Sequence, residues 1–270
     1  MRLMMIGDVV GKPGRTILLE NLASLRHTHH VDFIIVNAEN SAAGIGITPD
    51  IADTLLKAGV QVITLGNHAW GKREIYPYLD KEARILRPAN YPPGVPGQGW
   101  GVYRNALAPV AVVALQGRAF MEPVDDPFRT IDAILAALPP DCKIIFIDFH
   151  AETTSEKQTF GWYVDGRVSA VIGTHTHIQT ADERILPQGT AYLTDVGMTG
   201  PMESVIGMRY DSVINRVTTL LPSRFEVADG DAQLCGVLID VDNETGKAHA
   251  IQRIQVPLHT TTVGTARFIM

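Results

Sequence analysis

Asp8, Glu39, Asn40, Asn67, His68, His150, His175 and His177 are the side chains of this chain most suited to holding a cation or moving a proton. Each follows closely on a short apolar run. Gly66-Asn67-His68 ends the run Val60 to Leu65, and Gly173-Thr174-His175-Thr176-His177 ends Val168 to Ile172. Carboxylate, amide and imidazole gathered away from water cost free energy unless something such as a cation satisfies them. Residues two apart on an extended segment face the same side, so His175 and His177 read as a gripping pair. Oxygen and imidazole donors without thiolate favour iron, manganese, zinc or cobalt over magnesium or calcium.

Such residues meet only if the elements beneath them are parallel strands, whose carboxyl ends share one edge of an α/β sheet. The pattern supplies those strands: Leu3 to Ile6 before Gly7-Asp8, Phe33 to Val36 before Asn37-Ala38-Glu39-Asn40, Val60 to Leu65, Lys143 to Phe149 before His150, and Val168 to Ile172. Helices are expected between them. Arg15 to Leu25 has helical spacing, Thr48-Pro49-Asp50 opens a helix to about Ala58, Asp126-Pro127 caps one through Leu138, and Thr153 to Trp162 forms a short one. Lys72 to Arg87 reads as a helix interrupted by Pro77, and Pro88 to Gly101 as a turn-rich loop bordering a pocket. Val110 to Leu115 is a further strand. Later come a small hairpin at Ile185 to Thr194, a glycine-rich turn at Gly197 to Pro201, helical spacing over Ser212 to Leu220, and a hairpin of Leu234 to Val241 with Ala248 to Val256 around Asn243 to Gly246.

The sequence of 270 residues, 46% hydrophobic and 19% charged, suits one packed α/β domain spanning 1–270. A net charge of −6 argues against duplex nucleic acid and against an anionic membrane as partners. The two cysteines, Cys142 and Cys235, are far apart and suggest neither a metal pair nor a disulfide framework, so a reducing cytoplasm is expected. No run reaches the roughly 18 apolar residues of a membrane span, and Leu3 to Val10 is broken by Asp8 without a cleavage-site pattern. Gly11-Lys12-Pro13-Gly14 has the wrong glycine spacing for a phosphate-binding loop, and Pro13 stands where Ser or Thr is required. His27, His29 and His30 read as favourable neighbours of a helix C-terminus.

Taken in order, Gly7-Asp8, Asn37-Ala38-Glu39-Asn40, Gly66-Asn67-His68, His150 and Gly173-Thr174-His175-Thr176-His177 resemble the blocks of the calcineurin-like metallophosphoesterase superfamily. Asp148-Phe149-His150-Ala151-Glu152 and Thr194 to Pro201 make the chain similar, more narrowly, to the YmdB-type 2′,3′-cyclic-nucleotide phosphodiesterases, nearly end to end. It departs from the superfamily at Val10, where a ligand histidine is usual, at Glu39, where the bridging residue is usually aspartate, and at Ala69, where an acidic residue is common.

The resemblance implies a four-layer α/β/β/α sandwich of two mixed sheets, with the C-terminal hairpin in one of them. It implies two metal ions, iron or manganese first and zinc or cobalt next. Asp8, Glu39, Asn40 and His177 would hold one ion and Glu39, Asn67, His150 and His175 the other, with Glu39 bridging. A hydroxide bridging the ions would open a 2′,3′-cyclic nucleotide to the 3′-nucleotide, with His68 as proton donor. The stretches Ser41 to Gly46 and Met198 to Pro201 are expected as pocket walls. A broader phosphatase or phosphodiesterase of small phosphoesters and a metal-dependent nucleotide sensor stay open beside this reading, and exposed sheet edges are compatible with a homo-oligomer.

Overall fold

Alternation along the first strand, β1 (Arg2–Ile6), sends Leu3 and Met5 to one apolar cluster and Met4 and Ile6 to another. A strand buried on both faces needs a layer on each, and this determines the architecture. The computed structural model describes residues 1–257. After β1 come α1 (Gly11–Thr28), β2 (Phe33–Asn37), α2 (Pro49–Lys57), β3 (Val62–Thr64), a 3₁₀ turn running into α3 (Tyr76–Leu79), and β4 (Ile85–Leu86). The middle of the chain gives β5 (Trp100–Tyr103), β6 (Val110–Gln116), α4 (Pro127–Ala137), β7 (Ile144–His150), α5 (Thr154–Val164), β8 (Ala170–Thr174), β9 (Arg184–Ile185) and β10 (Ala191–Leu193). The chain continues with β11 (Gly200–Pro201), α6 (Tyr210–Thr219), β12 (Ala232–Val241) and β13 (Ala248–Pro257).

One sheet runs β11-β12-β1-β2-β3-β4 with β13 on the other edge of β12, and the second runs β5-β6-β7-β8-β10-β9. Both are mixed: β1 to β4 are mutually parallel with β12 antiparallel to β1, while β6, β7, β8 and β10 are parallel with antiparallel edges. Leu3, Met5, Phe33, Ile35 and Val62 meet Val112, Ile144, Phe146 and Ile172 between the sheets. Ile17 and Leu18 of α1 and Leu55 of α2 cover the outside of the first sheet, and Ile131 of α4 and Phe160 of α5 cover the second. The result is the expected α/β/β/α sandwich. Burying each such large apolar side chain contributes about 1.5–3 kcal/mol, which is why layer order follows the alternation.

Helix starts match their sequence signals. Thr48 accepts from the Ile51 N–H, Asp126 from those of Phe128 and Arg129, and Thr153 from that of Glu156. The differences are local. Gly11 to Gly14, expected as loop, forms the first turn of α1. Pro77 leaves only a short α3, and the end of the expected helix is strand β4, whose Ile85 and Leu86 pair with Ile63 and Thr64 of β3. The loop from Pro88 ends in β5, and the turn at Gly197 carries the two-residue β11. Helix α6 overlaps the expected helical stretch, starting two residues before Ser212 and ending one before Leu220, and buries none of its residues. Among the described residues no helix is long and apolar enough to cross a membrane.

Candidate metal centre

The inter-sheet face turns from apolar to polar toward the carboxyl ends of the parallel strands. Along β7, Ile144 and Phe146 join the inter-sheet core while Asp148 and His150, next on the same face, are buried without exposure. Register places His150 beside Thr174 of β8, and Asn37 of β2 beside Thr64 of β3. Asp148 then ties the sheets together: Asn37 Nδ2 and Thr64 Oγ1 donate to its Oδ2 at 3.0 and 2.5 Å, and Thr174 Oγ1 to its Oδ1 at 2.7 Å. Burial pushes the Asp148 carboxyl up, opposed by the charge of His150 and by these hydrogen bonds.

Because the Thr174 hydroxyl gives its hydrogen to Asp148, its lone pair accepts Nδ1–H of His150 at 2.9 Å. This turns Nε2 of His150 toward the cluster. Around that nitrogen lie Asn67 Oδ1 at 2.9 Å, Glu39 Oε1 at 3.0 Å and His175 Nδ1 at 3.0 Å. His175 Nε2 lies 2.9 Å from Glu152 Oε2, a neighbour that favours the ring proton there and leaves Nδ1 as a donor atom. A single proton on one nitrogen cannot satisfy three acceptors, whereas a cation can. Glu39, His150 and His175 form a group able to hold a metal ion.

Beside this group, Asp8 Oδ1 and Asn40 Oδ1 are buried and have no hydrogen-bond partner. Such orphaned oxygens are costly unless a ligand serves them. Asp8 Oδ2 accepts the His175 N–H at 3.3 Å, and Asp8 Oδ1 stands 4.0 Å from His150 Nδ1. His177 donates Nδ1–H to the Ile206 carbonyl at 2.9 Å, so its Nε2 is the free donor. Asn40 Nδ2 faces the Gly44 carbonyl at 2.9 Å and His68 Nδ1 at 3.1 Å, which uses both of its hydrogens and leaves Oδ1 clear. The seven expected ligands and His68 are therefore gathered at one end of the sandwich, with an orphaned-oxygen and imidazole donor set suited to a cation.

The charges are tightly coupled. Burial lifts Asp8 to about 6 against the pull of His177 and His150. Burial would also raise Glu39, but His150 and His68 outweigh it and hold the carboxyl down at about 2. His150 reaches about 9 although burial alone lowers it, because Glu39, Asp8 and Asp148 surround it. Burial, then the charge on His150, pushes His175 down to about 3. The pocket thus favours positive charge on one ring at the expense of its neighbour.

Residues outside the expected set hold this geometry. His175 and His177 do not lie on an extended segment as expected; their φ values are 95° and 66°, in a region that side chains avoid unless held there. Asp195 holds them. Its Oδ2 accepts the N–H and hydroxyl of Thr176 at 3.1 and 2.7 Å and the buried Lys157 ammonium at 2.7 Å, and its Oδ1 accepts the Gly197 N–H at 2.8 Å. Met198 and Thr199 donate backbone N–H groups to the carbonyls of His177 and Asp8, so this stretch braces the donors. The cavity of about 250 Å³ beside Asn67 and His175 is walled instead by Phe120, Met121 and Glu122, which the pattern of the sequence did not single out. A larger cavity of about 560 Å³ against α4, bordered by Ala89 and Trp100 from the proline-rich loop and β5, touches none of the candidate residues. Asp148 was legible as an acidic residue two before His150 on the same strand face. Lys157 and Asp195 carry no such local signal.

Known proteins are similar to this chain over most of its length. The family model described as YmdB-like protein matches residues 4–254. The chain is 50% identical over 256 residues to the 2′,3′-cyclic-nucleotide 2′-phosphodiesterase of Bacillus subtilis strain 168, covering 95% of this chain and 97% of that one. A solved structure titled as a novel phosphatase from Mycoplasma pneumoniae superposes with a TM-score of 0.90 at 37% identity, over 95% of this chain and 93% of the other. A 5′-nucleotidase candidate from Staphylococcus aureus shares the fold, at a TM-score of 0.60 and 12% identity, over 99% of this chain and 56% of its own.

Proposed function

The chain belongs to the YmdB-like family, and from that premise we propose that it is a two-metal phosphodiesterase that opens 2′,3′-cyclic nucleotides to 3′-nucleotides. The observation that carries the reading is the convergence of Glu39 Oε1, Asn67 Oδ1 and His175 Nδ1 on His150 Nε2, next to the orphaned oxygens of Asp8 and Asn40. In this reading Asp8, Glu39, Asn40 and His177 hold one ion and Glu39, Asn67, His150 and His175 the other. Iron or manganese suits the mixed oxygen and imidazole donors. When bound, such ions supply a nucleophile at neutral pH by acidifying water and draw charge from the phosphoryl oxygens.

The rest is done by the chain. Glu152, Thr174 and the Ile206 carbonyl orient the three imidazoles, so that donor nitrogens rather than N–H groups face the site. His68 has the opposite polarity: its Nδ1 accepts from Asn40, which places the ring proton on Nε2, and its side chain is 34% exposed. As the bond between phosphorus and the 2′ oxygen breaks, that proton passes from Nε2 to the leaving oxygen. Its backbone N–H, donated to Glu39 Oε2 at 3.2 Å, fixes the ring's position.

Purified protein supplied with Mn²⁺ should convert 2′,3′-cyclic AMP to 3′-AMP faster than it hydrolyses 3′,5′-cyclic AMP or 3′-AMP. His68→Ala should keep its metal content by elemental analysis and lose roughly 10²- to 10⁴-fold in kcat. Loss of metal in that variant would contradict the role given to His68, and equal rates across the substrate panel would leave only a general phosphoesterase.

A further inference from the structure

Phe120 is the most exposed large apolar side chain among the described residues, at 93%, and it has a φ of 60°. A bulky residue in the left-handed region is strained, and an uncovered phenyl ring adds an apolar surface in water. Neither cost is offset by packing within the fold. The ring instead lines the cavity that also contains Asn67 and His175.

The loop beneath it is held firmly. Gly117 donates its N–H to the carbonyl of His150 at 2.9 Å, tying the loop to a candidate metal ligand. A Cβ at Gly117 would come within 2.6 Å of both Ala151 Cβ and Glu156 Oε2. The Glu156 carboxylate accepts the backbone N–H groups of Arg118 at 2.9 Å and Ala119 at 3.1 Å. Phe120 is thus presented at a fixed place over the site, at the end of β6.

Resting on the phosphodiesterase reading, we infer that Phe120 is the platform on which the nucleobase of the substrate stacks. A five-membered cyclic phosphate is small and leaves the attached nucleoside outside the metal group. A planar ring lining the cavity beside that group gives the base an apolar partner, and stacking is tolerant of base identity because every base has a π-face. The loop therefore selects nucleotides over baseless cyclic phosphates without selecting strongly among bases. The contact is made equally in the ground and transition states, so it acts on KM and not on kcat.

The test compares wild type and Phe120→Ala on 2′,3′-cyclic AMP and on glycerol 1,2-cyclic phosphate, which has the same phosphodiester ring and no base. The substitution should raise KM for the nucleotide roughly 10- to 100-fold at unchanged kcat. It should leave kcat/KM for the glycerol ester, metal content and Tm unaltered, and Phe120→Trp should restore the nucleotide KM. An unchanged nucleotide KM, or equal losses on both substrates, overturns the stacking role while the phosphodiesterase reading stands. A wild-type protein inert toward both esters overturns the two together.

Discussion

Thr174 decides which nitrogen of His150 faces the donor cluster, because its hydroxyl is engaged by Asp148 and has only a lone pair to offer. Thr174→Val keeps the shape and removes that acceptor. Its expected effect is a metal affinity weaker by roughly 10- to 100-fold, read by competition with a chelator, with the fold retained. An affinity equal to wild type would mean that the ring is oriented by something else. Thr174 itself was readable only as the residue between a glycine and a histidine. Its importance comes from lying beside His150 in the register of β7 and β8.

At the scale of elements, the site depends on how closely strand ends approach. Gly66, where β3 gives way to Asn67, has no room for a side chain: a Cβ there would lie 2.2 Å from Cδ2 and 2.4 Å from Nε2 of His150. Its φ lies outside the left-handed region, so Gly66→Ala acts through this collision and not through the backbone. The variant should displace His150, lose about 10²-fold or more in turnover and retain less metal, with little change in circular dichroism. Full activity in Gly66→Ala would show that the two strand ends can separate without cost. Gly66 was legible as part of Gly-Asn-His, and the strands as apolar runs. The reason for the glycine was not, since it lies in a ring from the opposite sheet.

The molecule as a whole is closed at the start of β1, at the strand's other end. Arg2 and Asp240 face each other across β1 and β12, and the guanidinium donates from Nε to Oδ1 and from Nη2 to Oδ2, both at 2.7 Å. Arg2 Nη1 also donates to the His29 carbonyl at 2.9 Å, joining sheet and α1. These hydrogen bonds from Arg2, and its charge, hold the Asp240 carboxyl below its ordinary value. A depressed folded-state value means the pair stabilises above the unfolded value of about 3.9, and that stabilisation is lost as pH falls through the folded value. Arg2 is partly exposed, so screening limits the pair to about 1 kcal/mol. Asp240→Asn should lower Tm at pH 7 by about 2–4 °C, with the gap to wild type closing in acid below about pH 4. A gap that persists in acid would assign the loss to packing instead of charge.

The sequence by itself determined the parallel strands and the chemistry of their ends, while the four layers were implied by the family resemblance. Strands and strand ends are both local: a period of two assigns faces, and a polar residue directly after an apolar run must emerge at the carboxyl end of that strand. The tertiary structure decided the rest, because it concerns partners far apart in the chain. Asn67 meets His150 across 83 positions, Thr64 meets Asp148 across 84, and Asp8 meets the His175 backbone across 167. Ring orientation, the bracing of His175 and His177 by Asp195, and the presentation of Phe120 all arise from such contacts. No spacing along the chain encodes them, because two sheets must first pack face to face before these groups come within hydrogen-bonding reach.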